Sequence, residues 1–340
     1  MYTYRSLLCI ALCGCLFVWA VASQTAWASC GASSCPVDTS GWQRQQEKGS
    51  VQLDYQFEYS EQDQHRIGRR NAAFREITGH HDEEFTVNRI HRLGVSIGLT
   101  DRLCLDFRVP IVSRSHGHVH EHEGEDVLGS WDLSGIGDLA VLLRYAFWKG
   151  SLPSQPTLAV TLGGEFPTGK HHEKNSEGDE AELGLQPGSN SLDFIVGLSS
   201  IQSFEVPMWN GKRGTLPFFW NASAQFNGPG NDNYRLGDTF QFNIGTSYPI
   251  VPKWGLLTQF NLLVKDRDGI GNTDEEVEKT GGEFLYFSPG LEYRPNDSWR
   301  LYTLVQIPIY QRVNLIQTTS DYNILMGATY RFGIGGKKRS

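Results

Sequence analysis

Four histidines stand at every second position in the stretch HGHVHEHEGED, residues 116–126. In an extended backbone His116, His118, His120 and His122 share one face, since side chains alternate with period two. They could then offer two or three imidazoles to one ion, and imidazole suits zinc, copper and nickel. The run lacks the ligand spacing of structural zinc sites. It therefore reads as a solvated, acidic outer loop that takes up a divalent metal opportunistically, and no other cofactor is expected. His65, His80, His81, His171 and His172 lie in similar polar stretches, while His91 lies within an alternating apolar one. No Ser, Asp or acid pair accompanies a positioned histidine, so no catalytic residue is assigned and the chain reads as a non-enzyme.

The bulk properties narrow the setting. The chain has 340 residues, a formal net charge of -8 and 39% hydrophobic residues, with a mean hydropathy of -0.36. This excludes a bundle of membrane-spanning helices and argues against a nucleic-acid partner. One long apolar run, residues 7–22, follows Arg5 and precedes Ala26-Trp27-Ala28. It reads as a secretory signal peptide, 1–28, cut after Ala28. Residues 29–49 then form an N-terminal periplasmic segment. Within it Cys30 and Cys35 offer a small loop disulfide, with acylation of Cys30 as the alternative. Cys104 stands alone, and three cysteines cannot staple a chain of this length.

Beyond the signal, period-two alternation recurs and helical periodicity is nearly absent. In RLCLDFRVPI, Leu103, Leu105, Phe107, Val109 and Ile111 share one face, against Arg102, Cys104, Asp106, Arg108 and Pro110. Twelve strands are predicted, at 50–61, 86–99, 102–114, 134–148, 156–167, 190–203, 216–227, 235–248, 253–266, 283–294, 298–310 and 321–333. Most exceed the roughly 9–11 residues that a tilted strand needs to cross a bilayer. One face is apolar and the other small, amide or charged, as in a barrel with lipid outside and a polar lumen. Aromatic residues gather toward strand ends, among them Tyr55, Phe57, Tyr59, Trp254, Tyr293, Trp299, Tyr330 and Phe332.

Loop lengths alternate as well. Turns near 100–101, 249–252 and 295–297 are short, while 62–85, 115–133, 168–189, 228–234, 267–282 and 311–320 are long and polar. Short periplasmic turns with long outer loops are the outer-membrane pattern. The expected fold is all-β: one closed antiparallel transmembrane barrel of about twelve strands over 50–333, with a tail at 334–340. Its inward charged residues would be Asp54, Arg92, Asp106, Arg108, Asp138, Arg144, Glu165, Asp193, Glu292, Arg294 and Arg331. The expected surroundings are outer-membrane lipid and lipopolysaccharide, with the outer-membrane assembly machinery as a partner during biogenesis.

Three motifs carry a resemblance. GIGDLAVLLRY (135–145), FPTGK (166–170) and LQPGSNSLDFIVGLS (185–199) resemble segments of a large family of bacterial outer-membrane proteins. That family is named after the meta-cleavage pathway of phenol degradation. Asn190 stands where its usual P-G-S-G-S has a second glycine. The resemblance implies a barrel that transports hydrophobic or aromatic compounds. Read physically, Gly135 and Gly137 suit a bulge or a close backbone approach, and Pro187-Gly188 suits a turn. Asp138 and Asp193 then read as residues that close loops and fix register. The expected function is passage of a small solute through an outer-membrane channel. The rivals are a surface metal-binding protein anchored by its barrel and, more distantly, an outer-membrane hydrolase.

Overall fold

The computed structural model describes residues 47–77, 82–122, 125–273 and 277–333, with side chains for all of these except 82, 120–122 and 125–127. The expected signal peptide, Cys30, Cys35 and the 334–340 tail lie outside the described residues. Among the described residues there are sixteen strands: β1 Ser50–Gln62, β2 Gln64–Ile67, β3 Arg70–Asn71, β4 Asp82–Gly98, β5 Leu103–His122, β6 Glu125–Ile136, β7 Leu139–Lys149 and β8 Thr157–Phe166 in the first half. The second half adds β9 Asp193–Pro207, β10 Arg213–Phe226, β11 Thr239–Val251, β12 Trp254–Lys265, β13 Gly282–Tyr293, β14 Trp299–Val313, β15 Ile316–Thr319 and β16 Asn323–Gly333.

Every pairing is antiparallel, and the sheet closes where β4 pairs with both β1 and β5 and where β1 pairs with β16. Twelve strands make the closed barrel. The lower half of β5 pairs with β7 (Leu103↔Tyr145 to Arg108↔Ala140), and its upper half pairs with β6 (Ile111↔Ile136 to His122↔Glu125). Strands β6 and β7 therefore run end to end along β5. The break between them falls at Gly137-Asp138, where the Gly137 amide donates to the Pro110 carbonyl at 2.8 Å.

The predicted strands correspond closely to the barrel staves, whereas three of the predicted loops hold further strands: β2 and β3 lie within 62–85, the upper part of β5 and most of β6 within 115–133, and β15 within 311–320. Residues 115–133 are not a loop: the β5–β6 hairpin, with β4 paired to it as far as Asp82↔Val119, carries this part of the wall beyond the adjoining β7–β8 side. The outward face there holds Ser113, Ser115, Ser130, Asp132 and Ser134. A strand that rises past the lipid needs no apolar outer face, so the alternation that marks the other staves fades. Strands β2, β3 and β15 form a separate small sheet at the same end.

Side-chain alternation sorts the wall as a membrane barrel requires. Leu53, Leu93, Leu143, Leu162, Phe260, Leu301 and Met326 are exposed on the outside, whereas Gln52, Glu58, Asn88, Gln259, Asn261 and Gln306 are fully buried inside. A continuous apolar outer wall of this extent is a surface for lipid, not water. At the short-turn end Trp254 stacks near Tyr293 (centroids 4.7 Å) and Trp299 near Tyr330 (4.6 Å). Toward the long-loop end Phe166, Phe194, Phe226 and Phe240 stand exposed on β8 to β11.

Part of the interior is apolar. Phe219, Leu257, Tyr302, Leu304 and Leu325 point inward from β10, β12, β14 and β16 and pack together, fully buried or nearly so. This cluster fills one side of the lumen and narrows the passage. Truncating a buried phenylalanine typically costs about 3–5 kcal/mol. Phe219→Ala should therefore clearly lower the temperature at which the folded barrel's fast gel mobility is lost. An unchanged transition would show that the cluster carries no such weight.

Candidate functional site

The staves build the interior in layers. Near the short-turn end a cavity of about 840 Å³ is lined by Gln52, Ser247, Glu292, Arg294, Arg300 and Arg331, among others. Glu292 accepts from Arg300 Nε (2.8 Å), Arg294 Nη2 (3.1 Å) and the Ser247 hydroxyl. Arg331 Nη2 donates to Gln52 Oε1 at 3.0 Å. Above this an amide chain runs around the wall: Ser288 Oγ donates to Asn261, Asn261 to Asn243, and Asn243 to Asn221. These inward amides cross-link four neighbouring staves, β10 to β13, and stiffen that side of the barrel.

A second cavity, about 280 Å³, lies against the opposite wall. Asp54, Arg92, Asp106, Arg108, Asp138, Arg144 and Glu165 all line it. Several are already committed. Asp54 accepts from Gln52 Nε2 (2.9 Å) and Thr329 Oγ1 (2.8 Å), Arg92 is held by Glu58, and Arg144 faces Asp106 at 3.9 Å. Sheet register places several of these residues in one row across neighbouring strands: Asp54↔Gly94, Gly94↔Arg108, Arg108↔Ala140, Ala140↔Glu165 and Glu165↔Asp193. Gly94 separates Asp54 from Arg108 and Ala140 separates Arg108 from Glu165, while Glu165 and Asp193 are direct neighbours.

The roof of this cavity explains the family motifs. Asp138, 3% exposed, accepts from the Thr168 and Gly169 amides on one oxygen (2.9 and 2.8 Å). Its other oxygen accepts from the Ser189 amide (2.6 Å) and hydroxyl (2.8 Å). One carboxylate thus clasps both stems of the 167–192 segment, one from FPTGK and the other from PGSNS. Gly137, Gly169 and Gly188 meet there backbone to backbone. A Cβ on Gly169 would lie 2.7 Å from Gly137 C and 2.8 Å from Gly188 Cα, so larger residues do not fit. Asn190 has φ 53°, the left-handed region that glycine otherwise supplies and that asparagine tolerates best among the rest. Asp193 accepts from Ser191 Oγ (2.6 Å), Gln225 Nε2 (3.1 Å) and the Gly228 amide (2.9 Å), which anchors the next loop.

The same segment leans inward on the β5–β6 hairpin. Ala181 and Leu185 pack against Trp131 and Leu133, Arg114 donates to the Leu185 carbonyl, and Trp131 Nε1 donates to the Asp179 carbonyl at 3.1 Å. The long-loop mouth is thereby narrowed on this side. His116 and His118 are buried under it. His116 Nδ1 contacts Thr86 Oγ1 at 2.8 Å, His116 Nε2 lies 3.3 Å from His118 Nδ1, and His118 lies 3.8 Å from Glu182. The side chains of His120 and His122 lie outside the described residues. Among the described residues no three His, Cys, Asp or Glu side chains gather as metal ligands. His91 faces outward and meets the Tyr55 hydroxyl at 2.8 Å.

Glu292, Arg294 and Arg331 therefore line the first cavity, seven other sequence-chosen charges line the second, and Asp193 is taken up in loop anchoring. Sequence reasoning passed over Glu58, Arg300, the asparagine chain, Arg114 and Trp131. Glu58 and Arg300 share parity with Asp54 and Glu292 and could have been found from it; Arg114 and Trp131 sit in the misread hairpin.

The sequence profile of the family described as "Putative MetA-pathway of phenol degradation" matches residues 91–314. No curated protein matches the sequence. Among solved structures, an outer membrane channel from Pseudomonas putida F1 aligns with a TM-score of 0.58 at 16% identity, over 88% of this chain and 100% of that one. The KdgM porin aligns at 0.39 and 13% identity, over 83% and 99%. A Pseudomonas aeruginosa FadL homologue aligns at 0.40 and 9% identity, over 84% and 90%. The first likeness shows a shared barrel fold; the other two are too loose to carry an argument.

Proposed function

The chain belongs to that family, and on this premise we propose that it is an outer-membrane channel or transporter that passes a small hydrophobic or aromatic solute through the barrel. The observation that carries this reading is the pair of charge-lined cavities inside a closed wall whose outside is apolar. A cavity of roughly 150 Å³ holds a benzene ring, so the 280 Å³ cavity has room for one small solute. The fold of the first structural relative, itself a channel by name, supports the same reading.

The protein then acts by passage, not catalysis. The one histidine at lipid height among the described residues, His91, turns away from the lumen, which leaves no imidazole base there. In this reading the chain is exported, its signal peptide is removed, and its short turns face the periplasm. Lipid and lipopolysaccharide surround it, and the assembly machinery inserts it.

Purified protein in a planar bilayer should give small conductance steps, because the apolar cluster and the inward-leaning segment narrow the path. Liposomes carrying it should take up small aromatic solutes faster than empty ones. Absence of both current and uptake would overturn the channel reading.

A further inference from the structure

Two charged groups in the 280 Å³ cavity are uncommitted. Arg108 makes no hydrogen bond or ion pair with any described residue, and neither does Glu165, although both line the cavity. They stand on β5 and β8, in one register row, with only Ala140 of β7 between them. Adjacent strands lie about 4.8 Å apart, so their backbones are roughly 10 Å apart. Apolar side chains share the lining with the committed charges: Ala140, Leu142, Pro110 and Ile195 face the same space. On the far side of Arg108, Asp54 acts on it only through space and is already held by Gln52 and Thr329. Beside Glu165 the charged groups are Asp138 and Asp193, both saturated by loop contacts, and Arg92, which Glu58 holds.

A guanidinium and a carboxyl group left open on either side of Ala140 are complementary to a ligand with an acceptor at one end and a donor at the other. We propose that this row binds a small organic acid whose carboxylate meets Arg108, whose apolar middle lies over Ala140, and whose far end donates a hydrogen bond to Glu165. The inference rests on the channel reading and names the solute class the channel prefers. The guanidinium offers a two-pronged donor that matches a carboxylate. The acidic neighbourhood of Glu165 favours a donor there, either a hydroxyl or an ammonium. A plain hydrocarbon would leave both polar groups unanswered, at a cost in affinity.

The test is calorimetric titration of the full, detergent-purified chain with four probes: 4-hydroxybenzoate, 4-(aminomethyl)benzoate, benzoate and phenol. At least one of the two bifunctional acids should bind about tenfold or more tightly than both benzoate and phenol, and the better of the two tells hydroxyl from ammonium. Arg108→Gln should abolish the preference for acids over phenol, and Arg108→Lys should restore part of it. Glu165→Gln should abolish the preference for the bifunctional acid over benzoate. Heat-modifiable gel mobility confirms that each variant is folded. Equal affinity for all four probes, or preferences that survive both glutamine variants, would overturn the site. Conductance in the same preparations separates the two readings. Current without acid preference removes the site and keeps the channel, whereas acid preference without current or uptake keeps the site and removes the channel.

Discussion

Asp138→Ala should free the 167–192 segment from the barrel mouth while leaving the barrel closed. The carboxylate accepts four hydrogen bonds, from the Thr168, Gly169 and Ser189 amides and the Ser189 hydroxyl. Hydrogen bonds to a charged group contribute roughly 1.5–3 kcal/mol each. They share one acceptor and do not add fully, yet their joint loss still amounts to several kcal/mol. The barrel wall uses none of them, since its ladders run through backbone groups. Limited proteolysis within 167–192 should accelerate about tenfold or more, and single-channel conductance should rise as the mouth widens. Asp138→Asn should behave almost as badly, because its amide nitrogen would face donors where an acceptor is needed. Wild-type protease resistance and conductance in both variants would show that the inward contacts of Arg114 and Trp131 hold the segment without the clasp.

The clasp also marks where sequence reading stops. The staves were legible because each has one face in lipid and one in the lumen, and this writes a period of two into the residues. Asp138 and Asp193 could be placed inward on the same parity. That Asp138 joins FPTGK to PGSNS could not be read, since the three motifs meet only through loop geometry. Nor could the pairing of lumen charges: Arg92 finds Glu58, and Arg108 finds no described partner, although both arginines are inward by parity. Which inward charges neutralise one another depends on barrel register and rotamers, which alternation does not encode. The β5–β6 hairpin was missed for a related reason. Above the lipid its outer face is mostly polar, with Ser113, Ser115, Ser130 and Asp132 beside the exposed Leu128, so the physical pressure that produces the signal is weaker.

That hairpin should respond to acid through His116. It stands above the stretch where the outer wall turns polar, 1% exposed, with Nδ1 against the Thr86 hydroxyl and Nε2 beside His118. Burial holds its pKa down to about 4, with lesser effects from Glu182, which raises it, and from His118 and Arg114, which lower it. In an opened hairpin the ring would titrate near its ordinary value of about 6.5. The open form thus binds a proton that the closed form refuses. The closing free energy is fully present above about pH 6.5, falls as the pH drops, and levels off below about pH 4, where the buried ring also protonates. The whole loss is on the order of 3 kcal/mol. Hydrogen exchange at β5–β6 amides, corrected for intrinsic rates, should show protection falling across that window in the native chain. His116→Gln cannot take up the proton and should flatten the profile, while amides of β10 to β13 stay protected in both. Parallel profiles for the native chain and the variant would sink the idea. The same geometry bears on metal uptake. At neutral pH His116 is already uncharged, but an ion must displace Thr86 or His118 and lift the 167–192 segment to reach it. Zinc should therefore bind far more tightly once Asp138→Ala has opened that cover than in the native chain.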